Sequence, residues 1–172
     1  MAETNNITAA GKPFVISRTF NAPRNLVWKA WTETEHLSHW WGPKGCTVEI
    51  KKLDLRPGGL FHYRLMFNGQ EIWGRFVFRE ITAPERLLYV NSFSDPNGEI
   101  AYSPFHGAWP RELLTTVTFV EKSGGTEVTV SWQPVEATAE ERKAFDDNHA
   151  SMQGGWGGSF DVLAEYLAKK QA

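Results

Sequence analysis

Phe145, His149, Met152, Trp156, Phe160, Leu163 and Leu167 recur at steps of three and four, the spacing of one helical face. Thr138 and Glu141 stand three apart just ahead of this stripe in a capping-box pattern. Together they predict one continuous helix over about residues 138–169. The stripe runs through "GGWGG", where Gly154, Gly155, Gly157 and Gly158 flank Trp156. A glycine inside a helix costs roughly 1 kcal/mol relative to alanine, so four of them oppose the helix they sit in. Close backbone approach, a kink, or room for a large neighbour are the physical reasons to keep them.

Upstream the period changes from near four to two. Leu113, Thr115, Val117 and Phe119 alternate with polar neighbours, as do Val128, Val130 and Trp132, and the turn between them falls near Ser123, Gly124 and Gly125. "LFHYRLMF" and "QEIWGRFVFREI" flank Asn68-Gly69, a strong hairpin signal. "CTVEIKKLDL" precedes them through the "RPGG" turn, and "RLLYVNSF" follows after "TAPE". A first strand is predicted at Phe14–Phe20, followed by Pro23 in a first helical turn with Asn21 as its cap. Leu26, Val27, Ala30 and Trp31 mark one short helix. Thr34 opens a second, carrying Leu37, Trp40 and Trp41 and stopped by Gly42-Pro43. The order is therefore strand, two short helices, about six antiparallel strands and a long C-terminal helix. A sheet of that size must cover one face, and the last helix is the element large enough to do so. The aromatic-rich stretch "SDPNGEIAYSPFHGAWPRE" is long for a connection and reads as a lid or binding loop.

At 172 residues the chain fits one domain, expected over 13–172 behind a polar tail at 1–12 without the features of a signal peptide. Eight tryptophans and eleven phenylalanines are many for this length, which suggests a thick core or an aromatic-lined cavity. A net charge of -2 without a basic stripe argues against nucleic acid as a partner. Membrane insertion is not expected either, because no apolar run approaches the length of a span. Cys46 is the only cysteine, which rules out an internal disulfide and a cysteine metal cluster and fits a reducing cytoplasm.

The search for chemistry yields little. His36 and His39 have no acidic partner at a recognised ligand spacing, so neither a metal nor another cofactor is expected. His62 shares a strand face with Arg64 and Met66, opposite Phe61, Tyr63, Leu65 and Phe67; alternation alone leaves open which face turns inward. His106 sits in the long loop, where exposure is the default, and His149 interrupts the apolar stripe, as a hydrogen-bonded core histidine or a ligand contact. No nucleophile elbow or phosphate-binding glycine loop occurs. Glu71 and Glu80 lie an odd number of residues apart on one strand and face opposite sides. No catalytic set can be nominated.

The segments "RTFNAPRNLVWKAWTETEHLSHWWGP", "LDLRPGG", "GRFVFREITAPERLLYVNSFSD", "WPRELLTTVTF" and "MQGGWGGSFDVLAEYL" resemble the SRPBCC proteins. Within these, the chain is similar to the C-terminal domain of the activator of the ninety-kilodalton heat-shock-protein ATPase. The resemblance spans roughly residues 14–170 in the expected order. It implies an α+β helix-grip (START-like) fold, in which a curved antiparallel sheet of six to seven strands wraps the long C-terminal helix, often around a cavity. Such a fold would bring Trp41, Phe61, Tyr63, Phe76 and Phe93 around one space. Trp109, His149, Met152 and Trp156 would close it from the loop and helix side. Three functions follow as expectations: binding of a hydrophobic or aromatic small molecule, a co-chaperone-like interaction with a chaperone or another protein, and a cyclase or hydrolase working in the cavity. The chain is too short for the additional N-terminal domain of the co-chaperone, which weakens the second. The missing acid–base constellation weakens the third. A homodimer stays open.

Overall fold

The computed structural model describes residues 12–104 and 107–171. Seven strands form one antiparallel sheet: β1 (Phe14–Phe20), β2 (Thr47–Leu53), β3 (Leu60–Phe67), β4 (Gln70–Thr82), β5 (Arg86–Phe93), β6 (Leu113–Lys122) and β7 (Gly125–Pro134). Their spatial order is β1-β7-β6-β5-β4-β3-β2, so β2 to β7 form a meander and β1 returns to pair with β7. The hairpin signals set the register, with Phe67 opposite Gln70 and Lys122 opposite Gly125. Register shifts between Ile50 and Lys52 and between Phe78 and Glu80 are bulges, which bend and twist a strand and so curve the sheet. Four helices complete the fold: α1 (Arg24–Thr32), α2 (Thr34–Trp40), α3 (Ala139–Asp147) and α4 (His149–Gln171). This is the helix-grip architecture.

The core lies between the inner sheet face and α1, α2 and α4. Phe160 and Leu163 of α4 are fully buried, as are Val117 of β6 and Val128 and Val130 of β7. Under α1 and α2 the space is filled by rings: Trp31 packs on Trp40 at 5.0 Å between centroids, on Trp41 at 5.8 Å and on Phe119 at 5.8 Å. The Trp40 indole donates to the Ala30 carbonyl at 2.8 Å, which satisfies its one polar atom in the core. At the sheet edge Arg18 donates to Asp161 at 2.6 Å and lies over the Phe160 ring, tying β1 to α4.

Three local expectations are corrected. The C-terminal stripe is two helices rather than one. α3 begins with the predicted capping box, Thr138 accepting from the Glu141 N–H and Glu141 accepting from the Thr138 N–H, but it ends at Asn148. There the backbone leaves helical geometry (φ -111°, ψ 17°), and the Asn148 side-chain amide donates to the Ala144 carbonyl at 2.7 Å. That bond satisfies a carbonyl freed by the helix end and offers the chain an alternative to continuing. Second, of the alternatives open for "GGWGG", an interruption of the helix does not occur: α4 runs unbroken through all four glycines. Third, Asn21 does not cap α1; Pro23 occupies the cap position, without a side-chain bond, and the helix starts at Arg24.

Candidate functional site

Alternation decides what the inner sheet face offers. Tyr63 and Leu65 of β3, Ile72, Gly74 and Phe76 of β4, and Tyr89, Asn91 and Phe93 of β5 share one face and line a cavity beneath α4. The helix contributes Met152, Gly155, Trp156 and Ser159. Trp109 and Pro110 from the long β5–β6 loop close one side, and Trp41 to Lys44 at the end of α2 close another. The cavity is open on one side and its volume is about 570 Å³, within the range of small-molecule pockets.

Two glycine positions help make this space. A methyl group on Gly155 would meet nothing within 4 Å, and the same holds for Gly154 and Gly157; only Gly158 approaches a neighbour, Lys44 at 3.5 Å. Of the four, Gly155 borders the cavity and leaves the helix bare there. Gly74 acts by close approach: a Cβ there would collide with the Tyr63 ring, which lies flat over it. Trp156 forms part of the wall. It stacks on Trp31 at 5.9 Å with the rings 10° from parallel, and meets Trp41 and Trp132 edge-on.

Apart from Lys44, the polar side chains of the described lining are neutral hydroxyls, amides and a thiol. Burial pushes the Tyr63 phenol up to about 12, with the Trp41 indole acting in the opposite sense. Tyr89 is raised well above its ordinary value, first by burial and then by the neighbouring Tyr63, while a bond to Thr115 acts in the opposite sense. Phe76 stacks on Tyr89 with 3.9 Å between centroids. Thr115 donates to the Asn91 carbonyl oxygen. The ionisable residues in the wall are Lys44, Cys46, Tyr63 and Tyr89, with burial raising the Cys46 thiol. Among the described residues, no carboxylate, histidine or arginine lines the cavity, and no three His, Cys, Asp or Glu side chains converge as a metal site would require. The arrangement can bury an apolar body and bond a polar end; it holds no acid–base pair.

Of the nine residues expected at the cavity, Trp41, Tyr63, Phe76, Phe93, Trp109, Met152 and Trp156 line it. Phe61 does not. It has the right strand parity, but it is fully covered by Trp41, Tyr63 and Phe76. His149 is also outside. With the stripe broken at Asn148, it opens α4 half-exposed at the sheet edge, its ring against Phe14 and Phe145 and its Nε2 4.0 Å from Asp146. His62 lies on the outer sheet face, stacked on Trp73. His36, instead of a metal role, has its Nδ1 2.5 Å from the Tyr166 hydroxyl, joining α2 to α4. His106 and residues 1–11 of the expected tail lie outside the described residues. The sequence reading missed Tyr89 and Asn91. Their signal was present, since both share the parity of Phe93, but an asparagine on an inward face is not what a search for apolar walls selects.

A family model described as Activator of Hsp90 ATPase homolog 1-like protein matches residues 21–168. The chain belongs to this family. Solved structures agree on the fold. A Mycobacterium smegmatis protein superposes with a TM-score of 0.73 at 23% identity, over 90% of each chain. A Nitrosomonas europaea protein does so with 0.72 at 26% identity, over 92% of this chain and 96% of the other. An AHSA1 protein from Silicibacter pomeroyi gives 0.69 at 17% identity, over 92% and 99%. No curated protein matches the chain. Family and fold together assign it to the helix-grip ligand-binding or co-chaperone-like modules. Among the described residues, no helix is long and apolar enough to cross a membrane.

Proposed function

We propose that this protein is a small binding protein that holds a hydrophobic or aromatic molecule between its sheet and α4. The observation that carries the reading is the cavity of about 570 Å³, with aromatic walls from four strands, α4, the end of α2 and the β5–β6 loop. Burying about 200 Å² of apolar ligand surface there would contribute roughly 5 kcal/mol before the costs of association. Gly155 also supports it, because its propensity cost is understandable where a side chain would enter the cavity. The reading assigns the protein to the cytoplasm, where Cys46 as a lone thiol stays reduced.

A co-chaperone-like role has less support. The exposed large hydrophobics Val15, Leu55, Phe67, Tyr102 and Val120 fall on separate elements rather than one helix or sheet face. Catalysis in the cavity has less still, given that no carboxylate or histidine stands in its described lining. Native mass spectrometry of freshly purified protein tests the binding role and reads subunit number in the same spectrum. The expected result is an added mass of a few hundred daltons or less, lost on gentle activation, or uptake of an uncharged apolar probe by ligand-free protein. Protein that neither carries nor takes up such a molecule would refute the proposal.

A further inference from the structure

Exposure along the cavity lining marks where it opens. Phe76, Tyr89, Leu113, Met152 and Trp156 are buried, whereas Pro43, Lys44, Phe67, Gln70 and Ser151 are exposed. The opening therefore lies between the α2–β2 connection, the β3–β4 turn and the first turn of α4. The connection reaches across this rim. A methyl group on Gly158 would lie 3.5 Å from the Lys44 Cβ and backbone nitrogen, and one on Gly45 would lie 3.4 Å from the Phe67 ring. Lys44 is thus set at the opening with α4 against its backbone. It is the single charged side chain of the described lining. Among the described residues it forms no ion pair; Arg64 holds the nearby carboxylates of β2 and β4, Glu49 at 2.6 Å and Glu71 at 2.7 Å, on the outer sheet face. The other polar lining consists mainly of serine and tyrosine hydroxyls and the amides of Gln70, Asn91 and Asn148. Hydroxyls and amides both donate and accept, so they set no sign of charge. Lys44 does.

Granting the binding role proposed above, we infer that the ligand is an apolar monoanion, its body in the aromatic interior and its one negative end, a carboxylate or similar oxyanion, held at the opening by Lys44. Drawn into the interior, an anion would lose water and meet no cation there. At the opening it keeps water on one side and gains an ammonium group that no carboxylate neutralises. Gln70 and Ser151, exposed at the same opening, add neutral donors. A cationic end would face Lys44 as a like charge, with no carboxylate in the described lining to receive it. A neutral end would gain nothing from the charge.

The test uses three molecules with one body and different ends: 4-(1-naphthyl)butanoate, its primary amide and 4-(1-naphthyl)butylammonium. Each displaces the uncharged fluorescent probe N-phenyl-1-naphthylamine from the protein. At low salt the carboxylate is expected to bind about threefold more tightly than the amide, the value of one solvent-exposed ion pair, and the ammonium more weakly than either. That preference should shrink as salt rises from about 10 mM to about 0.5 M. Lys44→Gln should bring the carboxylate-to-amide ratio to about one, and Lys44→Glu should invert it. Lys51→Gln removes a cation from the outer sheet face, where it lies over Trp73, and should leave the ratio as it is. The order of the three ligands and its salt dependence are read in wild-type protein, so the result does not hang on any variant folding. Equal displacement by carboxylate and amide at low salt would overturn the anion assignment and leave the binding role standing. Tightest displacement by the ammonium would overturn it as well, as would a preference for the carboxylate that survives in Lys44→Gln. If neither the probe nor any of the three molecules binds, the binding role and this assignment fall together.

Discussion

Trp156 is at once wall and filler. It is 8% exposed, touches Trp31, Trp41, Trp132 and Phe160, and still borders the cavity. Trp156→Ala should cost about 3–5 kcal/mol in denaturant unfolding, because three tryptophan neighbours lose a packing partner. It should also enlarge the cavity and change the affinity of an uncharged apolar probe. Gly155→Leu separates the two roles. A side chain there enters open space, and leucine improves helix propensity by about 0.8 kcal/mol, so the fold should hold while the probe is excluded. Equal probe affinity in wild type and Gly155→Leu would show that the space beneath Gly155 is not where the probe sits.

At the scale of elements, the capping box and the Asn148 break bracket α3, a nine-residue helix that brings Phe145 onto Trp109 at 5.8 Å. Such a short helix depends on its ends, since isolated helices of this length are not stable in water. Thr138→Ala removes the acceptor for the Glu141 N–H and should lower stability by about 1 kcal/mol, read as a shift in denaturant midpoint with the slope unchanged. Through Phe145, the same change should raise hydrogen exchange in α3 and around Trp109 more than in β6 or β7. Uniform exchange across the protein would place α3 in the same cooperative unit as the sheet. The capping box itself was legible in the sequence, as a local pattern of two side chains three residues apart. The break at Asn148 was not, because the stripe Phe145–His149–Met152 keeps helical spacing across it and a side-chain bond to Ala144 leaves no mark on periodicity.

The whole molecule adds a pH dependence that no single element has. Tyr63 is partly and Tyr89 fully buried between sheet and helix, the first with its phenol pushed up to about 12 and the second raised well above its ordinary value. In the unfolded chain both return to about 10. Between these values the folded protein holds more protons than the unfolded one, so stability is fully present below pH of about 10 and falls as pH rises toward 12. Tyrosinate absorbance should therefore rise incompletely at first, and the remainder should appear together with loss of far-ultraviolet circular dichroism. Complete ionisation of all four tyrosines in protein that keeps its dichroism would contradict the burial of these two.

By itself the sequence determined the strands, their hairpin partners, the α4 stripe and the family resemblance. Each of these is encoded in side-chain period, turn residues or local motif, and none requires knowing what lies across the core. Seven of the nine residues expected at the cavity were legible for the same reason: parity places a side chain on a face, and the fold brings those faces together. Tertiary structure decided the rest. Phe61 and Tyr63 share a face, yet only the second reaches the cavity, because Trp41 covers Phe61 and Gly74 lets the Tyr63 ring lie flat. His149 left the site because one side-chain amide ended a helix a residue earlier. The bond from Thr115 to Asn91 joins two neighbouring strands, and a side-chain contact across a sheet has no counterpart in the linear pattern.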